Sequence, residues 1–317
     1  YMNLKEISDK LNVSMSTISR IINNKPGVNE KTRNTIREYL EENGIIKNNE
    51  NNNIVIIIPD FENPFFGEII KEISRNLLKE GFQVSIYDTD ETLEIEKQIV
   101  KTVLKSGAAG VIFCVSDGHG SAKHIEMLQS SNIPVVLFDR ELEFSLDGVF
   151  LNDFQSAFIA TEFLIKNGCK NISLLHGPLR LKNISNRYNG YKYALEKYGL
   201  TLNKDLLFEG DMRIESGHSL MKQIDEKNII TDGILILNNF MTIGALDYIN
   251  NKDINLYKKF KIFGYDIPEY LHSLNQNFNY ITRSRKEMGI QVSKLMVNKI
   301  KKLDSHTNTI IIDPIIV

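Results

Sequence analysis

The sequence predicts a small all-α unit followed by two α/β lobes, each built around a doubly wound parallel sheet. Residues 4–43 carry apolar side chains at helical spacing, whereas from residue 54 onward short apolar runs alternate with amphipathic helices. This alternation runs to the end of the 317-residue chain, which is long enough for two lobes of similar size. A composition of 42% hydrophobic and 25% charged residues is typical of globular domains and excludes a disordered or fibrous chain.

The all-α unit begins with two short helices joined by a tight turn. Asn12 follows the first helix and tolerates the left-handed conformation that ends a helix, and Ser14 is placed to cap the second. A third helix from Glu30 to Asn43 completes a compact unit. We expect its core to contain Leu4, Ile7, Ser8, Leu11, Val13, Ile18, Ile21, Ile22, Thr32, Ile36, Tyr39 and Leu40.

The second helix presents polar side chains on its outer face, and the pattern is typical of a helix-turn-helix. The outward residues are Met15, Ser16, Thr17, Ser19 and Arg20. Short hydroxyls and an arginine near the start of such a helix suit base edges and phosphates in the major groove of DNA. The alternative is a helical hairpin that binds nothing, but the third helix favours the DNA-binding interpretation.

One stretch of this unit resembles the headpiece of the lactose-repressor (LacI/GalR) family of bacterial transcriptional regulators. It reads Val13-Ser14-x-x-Thr17-Ile18-Ser19-Arg20-Ile21-Ile22-Asn23, followed by Val28-x-x-Lys31-Thr32-Arg33. The resemblance implies a homodimer on a pseudo-palindromic double-stranded operator, with pairing into tetramers left open. It implies DNA contacts by Met15, Ser16, Thr17, Ser19, Arg20, Asn23, Lys31, Thr32 and Arg33, of which Met15, Ser16 and Arg20 read bases or the flanking backbone.

The charge of the first 50 residues limits how this unit can bind DNA. Eight Lys or Arg residues stand against seven Asp or Glu residues, a balance of +1, and the whole chain carries −2. Phosphate contacts must therefore come from a few placed cations, so we expect moderate affinity for each monomer.

A short linker separates the all-α unit from the lobes. Residues 47–53 contain five asparagines, a composition typical of a solvated linker. The resembling family usually carries a longer hinge here with a leucine that wedges into the minor groove, and this linker has no leucine. Either the hinge helix is lost, or Ile45 or Ile46 does part of its work, so operator bending is in question.

The predicted domains are a headpiece over 1–46, the linker over 47–53 and an effector-binding and dimerisation domain over 54–317. Within that domain we expect a first lobe over about 54–153 plus 284–308 and a second over about 154–283 plus 309–317. The predicted strands are 54–58, 83–87, 111–115, 135–138, 172–176, 206–209, 233–237, 261–263 and 309–316. The predicted helices are 64–80, 93–106, 120–131, 154–167, 185–199, 213–227, 241–251 and 285–303.

Polar residues follow many of these strands, where open parallel sheets bind their ligands. Asp60 and Asp88 are interpreted as structural turn formers. The aromatic pair Phe65 and Phe66 suits the apolar face of a sugar. The family resemblance implies a periplasmic-binding-protein-like fold whose inter-lobe cleft binds a sugar effector. The candidate effector-binding residues are Asn63, Phe65, Phe66, Asp139, Arg140, Arg187, Asn238, Asp266 and Arg283.

Two of these positions depart from the family and leave the effector class open. Asn239 stands where the family commonly has Asp, and Arg283 where Gln is frequent. If Arg140, Arg187 and Arg283 converge, a sugar phosphate or sugar acid suits the cleft. If Arg283 forms a surface salt bridge instead, a neutral pentose or hexose is favoured.

We expect neither catalytic activity nor a bound cofactor from this sequence. It has no phosphate-binding loop, no Gly-x-Ser-x-Gly and no His-Glu-x-x-His motif. Cys114 and Cys169 are expected to be buried, inert thiols. The absence of a signal peptide and of a long apolar span favours the cytoplasm over a membrane.

The leading hypothesis is therefore a ligand-responsive repressor of carbohydrate-utilisation genes. The alternatives are a sugar sensor or binding protein without functional DNA recognition, and a regulator that answers to a phosphoprotein corepressor.

Overall fold

A computed structural model describes residues 4–22, 27–43, 52–144, 146–268, 278–303 and 306–317. The chain forms two compact units, Tyr1–Asn51 and Asn52–Val317. The predicted linker and hinge fall largely on residues 44–51, outside the described ranges.

The first unit consists of three helices, α1 (Leu4–Leu11), α2 (Met15–Ile22) and α3 (Glu30–Glu42). Asn12 has a φ of 51° and ends α1, and Ser14 Oγ accepts the backbone N–H of Thr17 at 3.2 Å, so both predicted caps are confirmed. The core consists of Ile7, Ile18, Ile21, Ile36 and Leu40, with Leu11, Val13, Val28 and Tyr39 packed against it.

The predicted place of Ile22 in this core is wrong. Its side chain is 37% exposed, because the core closes over Ile18 and Ile21 and leaves the last residue of α2 at the margin.

The second unit alternates strands and helices along its length. In chain order its elements are β1 (Asn53–Ile58), α4 (Pro64–Lys79), β2 (Gln83–Asp88), α5 (Leu93–Ser106), β3 (Gly110–Phe113), α6 (Gly120–Ser130), β4 (Val135–Phe138), β5 (Gly148–Leu151), α7 (Asp153–Lys166), β6 (Ile172–His176), α8 (Lys182–Lys197), a 3-10 turn (Lys204–Leu206), β7 (Leu207–Glu209), α9 (Ile214–Glu226), β8 (Gly233–Ile236), α10 (Asn239–Lys252), α11 (Leu256–Lys259), β9 (Lys261–Tyr265), β10 (Asn279–Thr282), α12 (Arg285–Ile300), β11 (Thr309–Ile312) and β12 (Ile315–Ile316).

These elements form two lobes around two six-stranded sheets. The first sheet has the order β11-β5-β4-β3-β1-β2 with parallel pairing throughout, and the second has the order β12-β10-β9-β8-β6-β7 with only β12 antiparallel. Helices cover both faces of each sheet, which is why the strands are continuous apolar runs. The predicted fold class, two doubly wound α/β lobes after an all-α headpiece, is confirmed.

Helix α4 shows how the sequence sets these elements. Asn63 Oδ1 accepts the backbone N–H of Phe65 at 3.0 Å, and Pro64 occupies the first helical position. Phe66, Ile69 and Ile73 are buried on one face, and Gly81 follows the helix with a φ of 86°.

The structure corrects the predicted end of the chain. Every predicted helix and every predicted strand before residue 270 is present, with ends shifted by up to three residues. The expected strand 309–316 is instead two strands in different sheets, β11 beside β5 in the first lobe and β12 beside β10 in the second. Pro314 separates them, since its ring cannot donate a ladder hydrogen bond. Residues 309–312 therefore belong to the first lobe, contrary to the expected boundary.

Two strands were not predicted at all. β5 and β10 are only four residues each, and β5 follows β4 without an intervening helix. The chain thus passes between the lobes three times, after β5, after β10 and after β11.

Candidate functional site

The outer face of α2 carries the residues expected to contact DNA. Ser14 Oγ lies 2.8 Å from both Ser16 Oγ and Thr17 Oγ1, so three hydroxyls cluster at the start of the helix. Met15, Ser16, Ser19, Arg20 and Lys31 are exposed, and Thr17, Thr32 and Arg33 are partly buried.

Thr32 lies in the capped first turn of α3. Asn29 Oδ1 accepts the backbone N–H of Thr32 at 2.8 Å and caps the helix there. Asn23, also expected to contact DNA, lies outside the described residues.

Loops at the carboxyl ends of both sheets line one cavity between the lobes, and all nine predicted effector residues belong to its lining. The lining also includes Asn183, Ile184, Met212, Asn239 and Tyr265. The cavity measures about 40 Å³, far below the roughly 300–1,000 Å³ typical of small-molecule sites. A ligand larger than a few waters therefore enters only when the lobes separate.

Two amides join the lobes inside this cavity. Asn239 Nδ2 donates to Asn63 Oδ1 at 2.7 Å, so the cap of α4 in the first lobe contacts the start of α10 in the second. Asn238 Oδ1 accepts the backbone N–H of Met241 at 2.9 Å and caps α10.

Arg140 and Arg187 are each held by a carboxylate from their own lobe. Arg140 forms a bidentate pair with Glu91, at 2.7 and 2.5 Å, and donates to the carbonyl of Val115 at 3.0 Å. Arg187 Nε pairs with Asp153 Oδ1 at 2.6 Å, and Nη1 donates to the carbonyl of Leu237 at 2.7 Å.

Burial shifts the titration of these pairs. It raises the pKa of Asp153 to about 6, although Arg187 acts in the opposite direction. Burial also lowers the pKa of Arg140, but Glu91 outweighs it and the net pKa is raised. For Arg187 the attraction of Asp153 outweighs burial in the same way. Both guanidinium groups are therefore permanently charged.

Arg283 joins the two lobes at the centre of the cavity. Its Nη2 lies 2.5 Å from Asp139 Oδ1 in the first lobe and 3.2 Å from Asp266 Oδ2 in the second. The guanidinium stacks on the ring of Phe65, 4.2 Å from its centroid. The Nε and Nη1 atoms are buried and have no hydrogen-bond partner among the described residues, so two donors remain available to a ligand.

The two carboxylates that hold Arg283 occupy an unusual backbone conformation. Asp139 has a φ of 64° and Asp266 a φ of 43°, both in the left-handed region. Each follows a strand of its own lobe, β4 and β9. Such conformations concentrate at binding sites because the surrounding structure must stabilise them.

Sequence reasoning missed Glu91 and Asp153, the carboxylate partners of Arg140 and Arg187. Asp153 follows the unpredicted strand β5, so the post-strand signal that indicated Asp139, Arg140, Asn238 and Asp266 did not apply to it. Asp88 is a turn former as expected, accepting the backbone N–H groups of Phe61 and Asp90. Asp60 is a turn former as expected, since its Oδ1 accepts the backbone N–H of Glu62 at 2.7 Å, and its Oδ2 also lies 3.2 Å from Arg213 Nη1 of the other lobe.

Other chemistry is sparse in the described ranges. Cys114 and Cys169 are buried free thiols, as expected. No described group of three His, Cys, Asp or Glu residues is placed to hold a metal ion. No helix in the described part of the chain is long and apolar enough to span a bilayer.

Comparison with known proteins gives a family assignment. Residues 51–316 match the family of periplasmic binding proteins and the sugar binding domain of the LacI family, and residues 3–48 match the bacterial regulatory proteins of the lacI family. Catabolite control protein A from Priestia megaterium is 24% identical over 311 residues, covering 95% of this chain and 93% of that protein.

Two solved structures share the fold at 19% identity. A complex of the transcriptional regulator CelR with cellobiose has a TM-score of 0.77 and covers 100% of this chain and 98% of that chain. The Lac repressor dimer bound to operator and the anti-inducer ONPF has a TM-score of 0.76, with 100% and 97% covered.

The three-helix unit and the two-lobed unit with its polar cavity define a DNA-binding transcriptional regulator that responds to a ligand. The chain belongs to the LacI family of bacterial regulatory proteins.

Proposed function

We propose that this regulator represses carbohydrate-utilisation genes from the cytoplasm, and that its effector is a neutral sugar or sugar derivative bound in the inter-lobe cavity. It binds a pseudo-palindromic operator as a homodimer through residues 1–46, and the effector acts through residues 54–317. The similar Lac repressor structure is a dimer on its operator, and the similar CelR structure holds cellobiose, which supports both parts.

The net charge of the groups around the cavity is the observation that favours a neutral ligand. Three guanidinium groups, those of Arg140, Arg187 and Arg283, face four carboxylates, those of Glu91, Asp139, Asp153 and Asp266, which leaves −1. An anionic effector at the free Nε and Nη1 donors of Arg283 would add a second uncompensated negative charge beside Asp139 and Asp266. Burying a charge without a partner costs several kcal/mol, so a sugar phosphate or sugar acid is disfavoured.

The remaining polar atoms suit hydroxyl groups. Arg283 offers Nε and Nη1 as donors, while Asp266 and Asn238 offer acceptor lone pairs. Phe65 and Phe66 supply an apolar wall, with ring centroids 5.1 Å apart. A cyclic polyol presents this combination of hydroxyls around a C–H face.

A thermal-shift panel of neutral sugars, sugar phosphates and sugar acids tests this proposal. A ligand at one hundred times its dissociation constant adds about 2.7 kcal/mol to the unfolding free energy. We expect a shift with a neutral sugar, lost in Asp266→Asn and kept in Asp205→Asn, which makes the same change on an exposed turn. A shift restricted to phosphorylated or acidic sugars would contradict the neutral assignment.

A second candidate rests on a groove of about 380 Å³ along α4 and α12 of the first lobe. Three of its lining residues are Lys79, Lys294 and Lys301, of which Lys301 lies 2.7 Å from Glu80. This basic surface favours an acidic partner such as a phosphoprotein corepressor. Its flexible side chains supply no converging buried donors, so we place the small-molecule effector in the inter-lobe cavity. Binding of the partner that is lost in Lys294→Gln but kept in Asp266→Asn would support this candidate.

A further inference from the structure

The rim of the cavity contains ion pairs that join the two lobes. Arg213, in the loop between β7 and α9 of the second lobe, reaches two carboxylates of the first lobe. Its Nη1 lies 3.2 Å from Asp60 Oδ2, after β1, and its Nη2 lies 3.4 Å from Asp90 Oδ1, after β2. Arg213 and these two carboxylates are not among the nine predicted effector residues.

Two further pairs repeat this arrangement, one on the loop between β6 and α8 and one at the first residue of α8. Arg180 Nε lies 3.3 Å from Asp117 Oδ2, and Lys182 Nζ lies 3.2 Å from Glu141 Oε2. Lys182 also donates to the carbonyl of Leu142 at 3.0 Å. In each pair the second lobe supplies the cation and the first lobe the carboxylate, so all of them attract the lobes toward each other.

We propose that Arg180, Lys182 and Arg213 form an electrostatic latch, which holds the two lobes closed and thereby sets the affinity for the effector. Arg213 is its main positioning residue, because the Asp60 side chain that it meets is only 9% exposed, whereas Asp117 and Glu141 are more accessible. The predicted effect on effector affinity rests on the proposed function, whereas the predicted closure of the lobes does not depend on it.

The latch predicts that the affinity for a neutral ligand depends on the salt concentration. Exposed ion pairs are individually weak, and salt screens them, since the Debye length falls from about 30 Å at 0.01 M to about 3 Å at 1 M. A neutral sugar has no charge of its own to screen. Any salt dependence of its binding must therefore come from charges in the protein, and the latch places these charges across the cleft.

Hydrogen–deuterium exchange of the ligand-free full chain tests closure without an effector. We expect the loops 59–63, 177–182 and 210–213 to exchange faster in high salt than in low salt. The triple variant Arg180→Gln, Lys182→Gln and Arg213→Gln should show the fast exchange already in low salt. A charge-matched control changes Lys97, Lys166 and Lys259 to Gln, because each of these pairs within its own lobe.

Effector affinity, measured by calorimetry with the sugar found in the thermal-shift panel, is the second readout. We expect the wild type and the control to bind about fivefold more tightly in about 1 M than in about 0.01 M NaCl, because the closed cavity of about 40 Å³ has no room for a sugar and the lobes must separate against the latch. The triple variant should start at the tighter affinity and change less than about twofold. Arg213→Gln alone should give most of this gain, and Arg213→Lys, which keeps the charge, should reverse most of it.

The outcomes separate the latch from the proposed ligand. Loop exchange that is independent of salt and equal in the triple variant and the control overturns the latch, whatever the ligand is. Exchange that responds as expected, in a protein that no sugar stabilises, supports the latch and counts against the proposed effector. Salt-dependent affinity that persists unchanged in the triple variant also overturns the latch, because the responsible charges then lie elsewhere.

Discussion

Removal of the Arg283 charge should destabilise the two-lobed unit more than any other single change at the cavity. Arg283→Gln leaves Asp139 and Asp266 buried and facing each other without the cation that now lies 2.5 and 3.2 Å away. Both carboxylates are less than a tenth exposed, so water cannot replace the lost partner. Breaking a buried pair in this way costs about 3–5 kcal/mol, a large share of the roughly 5–15 kcal/mol that stabilises a typical domain.

The measurement is urea unfolding at fixed protein concentration, followed by far-UV circular dichroism. Arg283→Lys serves as the control, since it keeps the charge but loses the planar stack on Phe65, and it should lose less than Arg283→Gln.

A double-mutant cycle gives the same test in another form. Asp139→Asn combined with Arg283→Gln should lose less than the sum of the two single variants, by at least about 1 kcal/mol. Strict additivity, or a loss below about 1 kcal/mol in Arg283→Gln, would show that Arg283 is not the cation that neutralises the cavity. The assignment of a neutral effector would then lose its main support.

Three further predictions concern other parts of the chain. Arg20→Ala should weaken binding to a selected operator by more than about tenfold in a fluorescence anisotropy titration, because a good base contact contributes about 1–3 kcal/mol; an unchanged affinity would remove Arg20 from the interface. Gly244→Ala should lower the unfolding free energy by about 1–3 kcal/mol, because a Cβ there would collide with the carbonyl of Ile214 on α9. Gly67→Ala, which has open space around it, should instead raise the unfolding free energy by up to about 1 kcal/mol. Equal effects of the two substitutions in urea unfolding would refute this packing argument. Burial raises the pKa of Cys114 well above its usual value and the pKa of Cys169 to about 11. Neither thiol should therefore react with a disulfide reagent at about pH 8 until urea unfolds the chain. Rapid reaction of the native protein would contradict the burial of the two thiols.

The convergence of Asn63, Asp139, Arg140, Asn238 and Asp266 could be predicted because it follows from topology, whereas Arg187, on α8, and Arg283, after the unpredicted β10, were chosen from the family resemblance. The carboxyl ends of parallel strands lie at one edge of a sheet, so a polar residue that follows a predicted strand is placed without knowledge of its neighbours. The capping roles of Asn12, Ser14 and Asn63 were likewise local in sequence, and the structure confirms all three.

The ion pairs could not be predicted because pairing depends on contacts between distant segments. Arg140 and Glu91 are 49 residues apart, and Arg213 and Asp60 are 153 apart. The position of β11 could not be predicted either. Its apolar sequence fits either sheet, and only the strands beside it determine which sheet it joins. Asp153 was missed for a local reason, the short strand before it.

The affinity of the full-length protein for its selected operator, with and without the stabilising neutral sugar, tests the proposed regulator as a whole. We predict that the sugar changes this affinity by at least about tenfold, in either direction, in the wild type. Asp266→Asn should bind the operator and show no such change. A full response in Asp266→Asn would place the effector outside the inter-lobe cavity, and an operator affinity that no neutral sugar alters in the wild type would contradict the proposed function.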